Sequence, residues 1–130
     1  MVFGVFDGLH EGHRAFLRQA KKYGDELIAV VARDAAALEL KGRRPREPER
    51  ARLEKVRRLK DVSRAVLGDA AQGSYRMISR IKPDIICIGY DQGRLEEDLK
   101  NRMRRGAIKR IRLIRLKSYR PDKFRSSLIK

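Results

Sequence analysis

The chain has two histidines, and both lie in the segment Gly4-Val5-Phe6-Asp7-Gly8-Leu9-His10-Glu11-Gly12-His13. Imidazoles three positions apart in a glycine-rich turn can aim hydrogen-bond donors at one point. An apolar run, Met1 to Phe6, precedes the pair, and a helical pattern, Arg14 to Tyr23, follows it. Strand, glycine-rich turn and helix together present a helix N-terminus to a phosphate. Two imidazoles there add donors where negative charge grows during phosphoryl or nucleotidyl transfer. Metal binding is the competing use of such a pair. Only Glu11 could join it, and zinc asks for more nitrogen or sulfur ligands, so no metal-ligating set is assigned.

The elements that must carry this turn alternate along the chain. Val2 to Phe6 reads as a strand. A helix starts near Glu11 or Gly12, sets Ala15, Phe16, Leu17 and Ala20 on one face, and ends at Tyr23-Gly24-Asp25 with Gly24 placed for a left-handed cap. Leu27 to Ala32 is continuously apolar, the mark of a strand buried on both faces. The basic loop Lys41-Gly42-Arg43-Arg44-Pro45-Arg46-Glu47-Pro48 follows, its two prolines arguing against regular structure. Glu49 to Leu59 is helical, with Leu53, Val56 and Leu59 three apart. Val62 to Leu67 is a strand, Ser74 to Ile81 a helix, Ile85 to Ile88 a strand, Leu95 to Met103 a helix capped by Gly106, and Ile108 to Leu116 a strand. Ser126-Ser127 is a helix-start signal near the end.

Strands separated by helices imply parallel pairing. The expected fold is therefore α/β: a doubly wound, Rossmann-like, five-stranded parallel sheet with helices on both faces, forming a single domain over 1–130. Ligands of such sheets bind beyond the carboxyl ends of the strands, where strand order switches. Four segments would converge there: the glycine-histidine turn, Arg33-Asp34, Gly89-Tyr90-Asp91-Gln92, and Tyr119 to Ser127.

A chain of 130 residues with 42% hydrophobic content suits one folded domain. Its longest apolar runs are far too short to span a bilayer, and Asp7, His10 and Glu11 interrupt any secretory signal. The single cysteine, Cys87, cannot close an internal disulfide, which fits a reducing cytoplasm; inside Ile85-Ile86-Cys87-Ile88 it reads as a buried, inert thiol. Thirty-three Lys and Arg against 17 Asp and Glu give a formal net charge of +16, which steers anions to the surface. Nucleic acid is one such anion. However, a single-strand binder needs exposed aromatics on which bases stack, and the four Tyr and four Phe do not interleave with the basic clusters. That argues against nucleic acid as the principal partner, and no membrane partner is expected.

The turn His10-Glu11-Gly12-His13, preceded by Gly4-Val5-Phe6-Asp7, resembles the HxGH signature of the cytidylyltransferase-like nucleotidyltransferases. Val31-Ala32-Arg33-Asp34, Lys41-Gly42-Arg43-Arg44-Pro45, Lys82-Pro83-Asp84-Ile85-Ile86 and Gly89-Tyr90-Asp91-Gln92 extend the likeness, in order, to the archaeal-type FAD synthases (FMN adenylyltransferases). The resemblance implies that ATP and FMN give FAD and pyrophosphate with Mg2+ or another divalent cation. It implies that His10 and His13 contact the triphosphate. Gly4, Val5, Phe6 and Asp7 would shape the nucleotide-binding loop. Gly89, Asp91 and Gln92 would hold adenine and ribose, and Ser126 and Ser127 the outer phosphates. Arg33, Asp34, Lys41, Arg44, Arg52 and Tyr119 are candidates for the acceptor or its phosphate. Val5 departs from the family's usual Thr, and Gly8 from an apolar residue. The family often forms homodimers. Two other functions fit parts of the pattern: a CTP-dependent glycerol-3-phosphate or sugar-phosphate cytidylyltransferase, which shares the catalytic turn, and a basic nucleic-acid-binding module on the same fold.

Overall fold

The computed structural model describes residues 1–70 and 75–118. The elements run β1 (Val2–Gly4), α1 (Glu11–Lys21), β2 (Ile28–Val31), α2 (Asp34–Lys41), α3 (Glu49–Arg57), β3 (Arg64–Leu67), α4 (Arg76–Ile81), β4 (Ile85–Ile88), α5 (Gly93–Arg104) and β5 (Arg112–Arg115). All paired strands are parallel: β1 with β2 (Val2 opposite Ala29), β2 with β3 (Ile28 opposite Arg64) and β4 with β5 (Ile85 opposite Arg112).

The α/β class and the parallel pairing are as expected, but the single five-stranded sheet is not. The strands form a three-stranded sheet, β1-β2-β3, and a two-stranded one, β4-β5. The seam lies between β1 and β4. Two backbone bonds cross it: the Met1 amino group donates to Ile85 O at 2.8 Å and Cys87 N donates to Met1 O at 3.0 Å. Beyond Met1 the two strands part.

The alternation of side chains across each strand builds a core on both faces. Val2, Ala29, Val31 and Cys87 join Leu17 of α1 and Leu53 and Val56 of α3. Val30, Ile86 and Ile88 face the other way, against Met77 and Ile78 of α4 and Leu99 of α5. Each such Leu, Ile or Val contributes about 1.5–3 kcal/mol by leaving water. Cys87 is buried as expected, and burial pushes its thiol pKa up. Among the described residues no helix is long and apolar enough to cross a membrane.

Helix α2 was not expected. Its Asp-Ala-Ala-Ala-Leu-Glu-Leu-Lys run is rich in strong helix formers, and it ends at Gly42, held left-handed at φ +76°. Gly106 closes α5 with the same φ. Gly24 does not do this for α1, whose C-cap Lys22 is right-handed. Apart from β4, the strands are shorter than the stretches that signalled them: β5 keeps only Arg112–Arg115 of Ile108 to Leu116.

Candidate active site

After β1 the chain makes a strained turn. Phe6 adopts φ +55° although it is not glycine, and its ring is buried. That ring folds back over Gly4: a Cβ there would lie 2.8 Å from two of its carbons. Gly8 is also left-handed, at φ +57°. This doubled-back path delivers His10 to the N-cap of α1.

The two histidines hold each other. His10 Nδ1 accepts from Gly12 N at 3.0 Å, and His13 Nδ1 accepts from His10 N at 3.2 Å, forming a reciprocal cap. The rings stack at 3.9 Å between centroids, 20° from parallel, and Phe6 meets His13 edge-on at 5.6 Å. A nitrogen that accepts a backbone N–H carries no proton. Both neutral rings are therefore fixed in the tautomer with the proton on Nε2. His13 is pushed down to a pKa of about 4, first by burial and then by His10, so its imidazole is uncharged at neutral pH. The other charges acting on it are Asp7, Lys41 and Asp91. Lys41 and Asp91, both remote in sequence, are thus near enough for their charges to act on this ring.

The back of the turn is fastened to the loop before α3. Asp7 accepts from Arg46 N at 2.8 Å and Glu47 N at 3.1 Å, and the Arg46 amide is the main cause holding its pKa below the ordinary value. Gly8 N donates to Glu47 Oε1 at 3.0 Å, and Lys55 pairs with the same carboxylate. Glu49 accepts from Asp34 N at 2.8 Å and so caps α2.

Arg52 is the hub of this region and is fully buried. Its guanidinium donates to Glu47 O (2.9 Å), Val5 O (2.8 Å), Ala32 O (2.8 Å) and the Asp34 carboxylate (2.7 Å). This corrects the expectation that Arg52 and Asp34 face a substrate: their charges are spent on each other, and Arg52 has no surface to offer a phosphate. Asp7 likewise acts on the loop amides. Arg33 donates to Gly68 O at 2.9 Å and lies 3.5 Å from Glu49. It lines a hollow of about 640 Å3 beside β3, with Arg57, Arg64 and Arg76. Arg44 is exposed in the basic loop.

On the other side of the seam, Gly89 is buried at the end of β4 while Tyr90 and Asp91 are exposed. A Cβ on Gly89 would sit 3.2 Å from Asp91 Oδ1, 3.2 Å from Gln92 Oε1 and 3.4 Å from Phe16 Cε1. Gln92 Oε1 accepts from Gly89 N at 2.8 Å, and Gln92 Nε2 donates to Phe3 O at 2.8 Å. Both ends of its amide are therefore bonded within the chain. Tyr119, Ser126 and Ser127 lie outside the described residues. Glu47 and Glu49 were not foreseen. Their signal was two carboxylates in a stretch of arginines, Arg43 to Arg52.

A strained glycine turn, a capped helix and two Nε2–H imidazoles thus stand together at a parallel-sheet edge, and the whole of residues 1–130 matches the cytidylyltransferase-like family, to which the chain belongs. The FAD synthase of Aciduliprofundum boonei is 45% identical over 119 residues, 92% of this chain and 78% of that one. That of Pyrococcus abyssi is 40% identical over 130 residues, covering 99% and 87%. Within the family, the chain therefore stands with the FAD synthases. The crystal structure of the lipopolysaccharide core biosynthesis protein from Thermoplasma volcanium superposes with a TM-score of 0.82 at 40% identity, covering 92% of this chain and 95% of that one.

Proposed function

We infer that the protein is an FMN adenylyltransferase: it transfers AMP from ATP to the phosphate of FMN, giving FAD and pyrophosphate. A phosphate oxygen of FMN attacks the α-phosphorus of ATP, and the bond to the β-phosphate oxygen breaks. The attacking oxygen is already anionic, so no side chain need remove a proton. The enzyme's work is alignment and charge stabilisation.

The observation that carries this reading is the tautomer lock. With Nδ1 of both rings engaged by the cap, the two Nε2–H groups are donors for the α-phosphate as it becomes five-coordinate. The positive end of α1 adds to them. On this reading Gly4 to Phe6 shape the path beside the triphosphate, and Gly89 and Asp91 hold the nucleoside. Lys41, whose charge acts on His13, and Arg44 meet phosphates. Tyr119, Ser126 and Ser127 keep the phosphate-side roles the resemblance implies.

Among the described residues no three His, Cys, Asp or Glu side chains gather into a metal cage. That donor set fits Mg2+, which binds chiefly through substrate phosphates and water with one or two carboxylates. The ion, when bound, neutralises triphosphate charge. We place the reaction in the cytoplasm, where the lone Cys87 stays reduced, and take small molecules rather than nucleic acid as the substrates.

The test is incubation with FMN, Mg2+ and either ATP or CTP. FAD should form with ATP. His10→Asn keeps an N-cap acceptor but loses the Nε2 donor, and should lower kcat by roughly 10²–10³-fold with little change in melting temperature. No FAD from ATP, together with turnover of glycerol 3-phosphate by CTP, would replace this reading with the cytidylyltransferase one.

A further inference from the structure

We propose that the side chain of Gln92 is a spacer that holds β1 and β4 apart and so sets the width of the nucleotide crevice, making it a positioning residue rather than a ligand of the base. The bonds at Met1 put it opposite Ile86, since Met1 N reaches Ile85 O and Met1 O receives Cys87 N. In a parallel ladder Phe3 N would next bond Cys87 O, and the bond after that would run from Gly89 N to Phe3 O. That donor and that acceptor are the two groups that Gln92 engages, at 2.8 Å each. Its amide is inserted into the ladder, with Oε1 replacing the lost acceptor and Nε2 the lost donor.

The consequence is geometric. A ladder bond holds N and O roughly 2.9 Å apart. Two hydrogen bonds in series with an amide between them hold the same atoms several ångströms further apart. The sheet is thereby split where β1 leads into the histidine turn and β4 into Gly89-Tyr90-Asp91. Gly89 N and Phe3 O thus both keep a hydrogen-bond partner across the opening. Gln92 sits at the N-cap of α5, so the spacer is anchored to that helix. It also accounts for Gly89, because a Cβ there would press on Gln92 Oε1 at 3.2 Å.

The inference takes its functional meaning from the FMN adenylyltransferase reading, but the spacer has its own readout. In a crystal structure of Gln92→Ala, Gly89 N and Phe3 O should close to hydrogen-bond distance. An unchanged gap overturns the proposal whether or not the protein makes FAD. In kinetics, Gln92→Met should lower kcat at saturating ATP about 10–100-fold, the scale of a misplacement near 1 Å, while the preference for ATP over GTP is kept. A rise in KM for ATP alone with loss of that preference would show contact with the base. A fall in melting temperature with unchanged kinetics would show a purely structural role. Either result overturns the spacer. Gln92→Glu keeps the acceptor and loses the donor until its carboxyl is protonated. Its activity relative to wild type should climb as pH falls, and a flat ratio refutes the mechanism. If wild-type protein forms no FAD at all, the functional reading fails and the crystallographic distance still decides the spacer.

Discussion

Replacing Arg52 by Met removes four hydrogen bonds from a site with no solvent access. Three acceptors are main-chain carbonyls, Val5, Ala32 and Glu47, and the fourth is the Asp34 carboxylate. Burying an arginine is itself costly, and swapping a whole buried ion pair for hydrocarbon is often neutral. That does not apply here, because the substitution deletes one side only. A buried charge pair broken on one side typically costs 3–5 kcal/mol, and each carbonyl stripped of its donor about 1–3 kcal/mol when water cannot reach it. Asp34 retains 30% of its side-chain exposure, so water relieves part of its loss. The net expectation is about 3–5 kcal/mol, or roughly 10–20 °C in melting temperature for a chain of this size. Lys is a poor substitute, because three donors on a tetrahedral ammonium cannot follow a planar fork; Arg52→Lys should lose about half as much. Thermal denaturation read by circular dichroism measures both variants, and FAD formation well below the transition measures the turn. Turnover should fall as well, since the Val5 carbonyl tethers the turn that carries His10. A variant with wild-type melting temperature and weakened ATP or FMN binding would refute this account and restore Arg52 as a phosphate ligand.

Gly4→Ala places a Cβ 2.8 Å from the Phe6 ring, which is buried and cannot swing away. Overpacking of this kind costs about 1–3 kcal/mol, and the turn must shift to relieve it, so FAD formation should fall more than a like loss of stability elsewhere would cause; denaturant melts paired with initial rates check this. Stability should also fall with acid. His13 binds its proton more weakly folded (pKa about 4) than unfolded (ordinary value 6.5), so the unfolded state takes up protons first. Stability is full above about pH 6.5 and declines towards pH 4, by on the order of 1–2 kcal/mol once solvent screening of a partly exposed ring is allowed for. A His13→Gln variant, which has nothing to titrate there, should show a shallower decline in chemical denaturation across that window; equal slopes would contradict the buried neutral imidazole.

Much of the fold was legible because its signals are local. Ile85 to Ile88 is bounded by proline and glycine and is β4 without adjustment. The two-faced burial of β2 follows from an unbroken apolar run. The split sheet was not legible, because it depends on one side chain, Gln92, crossing to Phe3, 89 positions away. Helix α2 is signalled by Ala35-Ala36-Ala37, but Arg33-Asp34 just before it has the character of a post-strand site and masks the helix start. The histidine pair was readable from type and spacing. What each nitrogen does was not, because the tautomer follows from a cap that only the folded backbone supplies. Arg52 misled for a related reason: arginine in a basic stretch looks exposed, and its acceptors come from three separate segments.

The same distinction explains how a chain of net charge +16 directs that charge. Screening confines electrostatic influence to about 8 Å at physiological ionic strength, so the overall excess matters less than which charges near the crevice are already spent. While Glu11 and Asp91 stay exposed, other acids beside the turn are spent on backbone: Asp7 on the amides of Arg46 and Glu47, Glu47 on that of Gly8, and Glu49 on that of Asp34. Asp34 is spent on Arg52. Carboxylates that would repel a triphosphate are thus turned away from it, in the bonds that hold the turn. His13 adds a donor without charge, since burial keeps it neutral at pH 7. Attraction is then left to Lys41 and the exposed arginines of the basic loop, which act at a distance and weaken with salt. On the proposed reading, stabilisation of the transition state is left to fixed Nε2–H groups, which act only on contact. Substrate capture should therefore be salt-sensitive while the bond-making step is not, a division that follows from placing the charge on a loop and the donors on a helix cap.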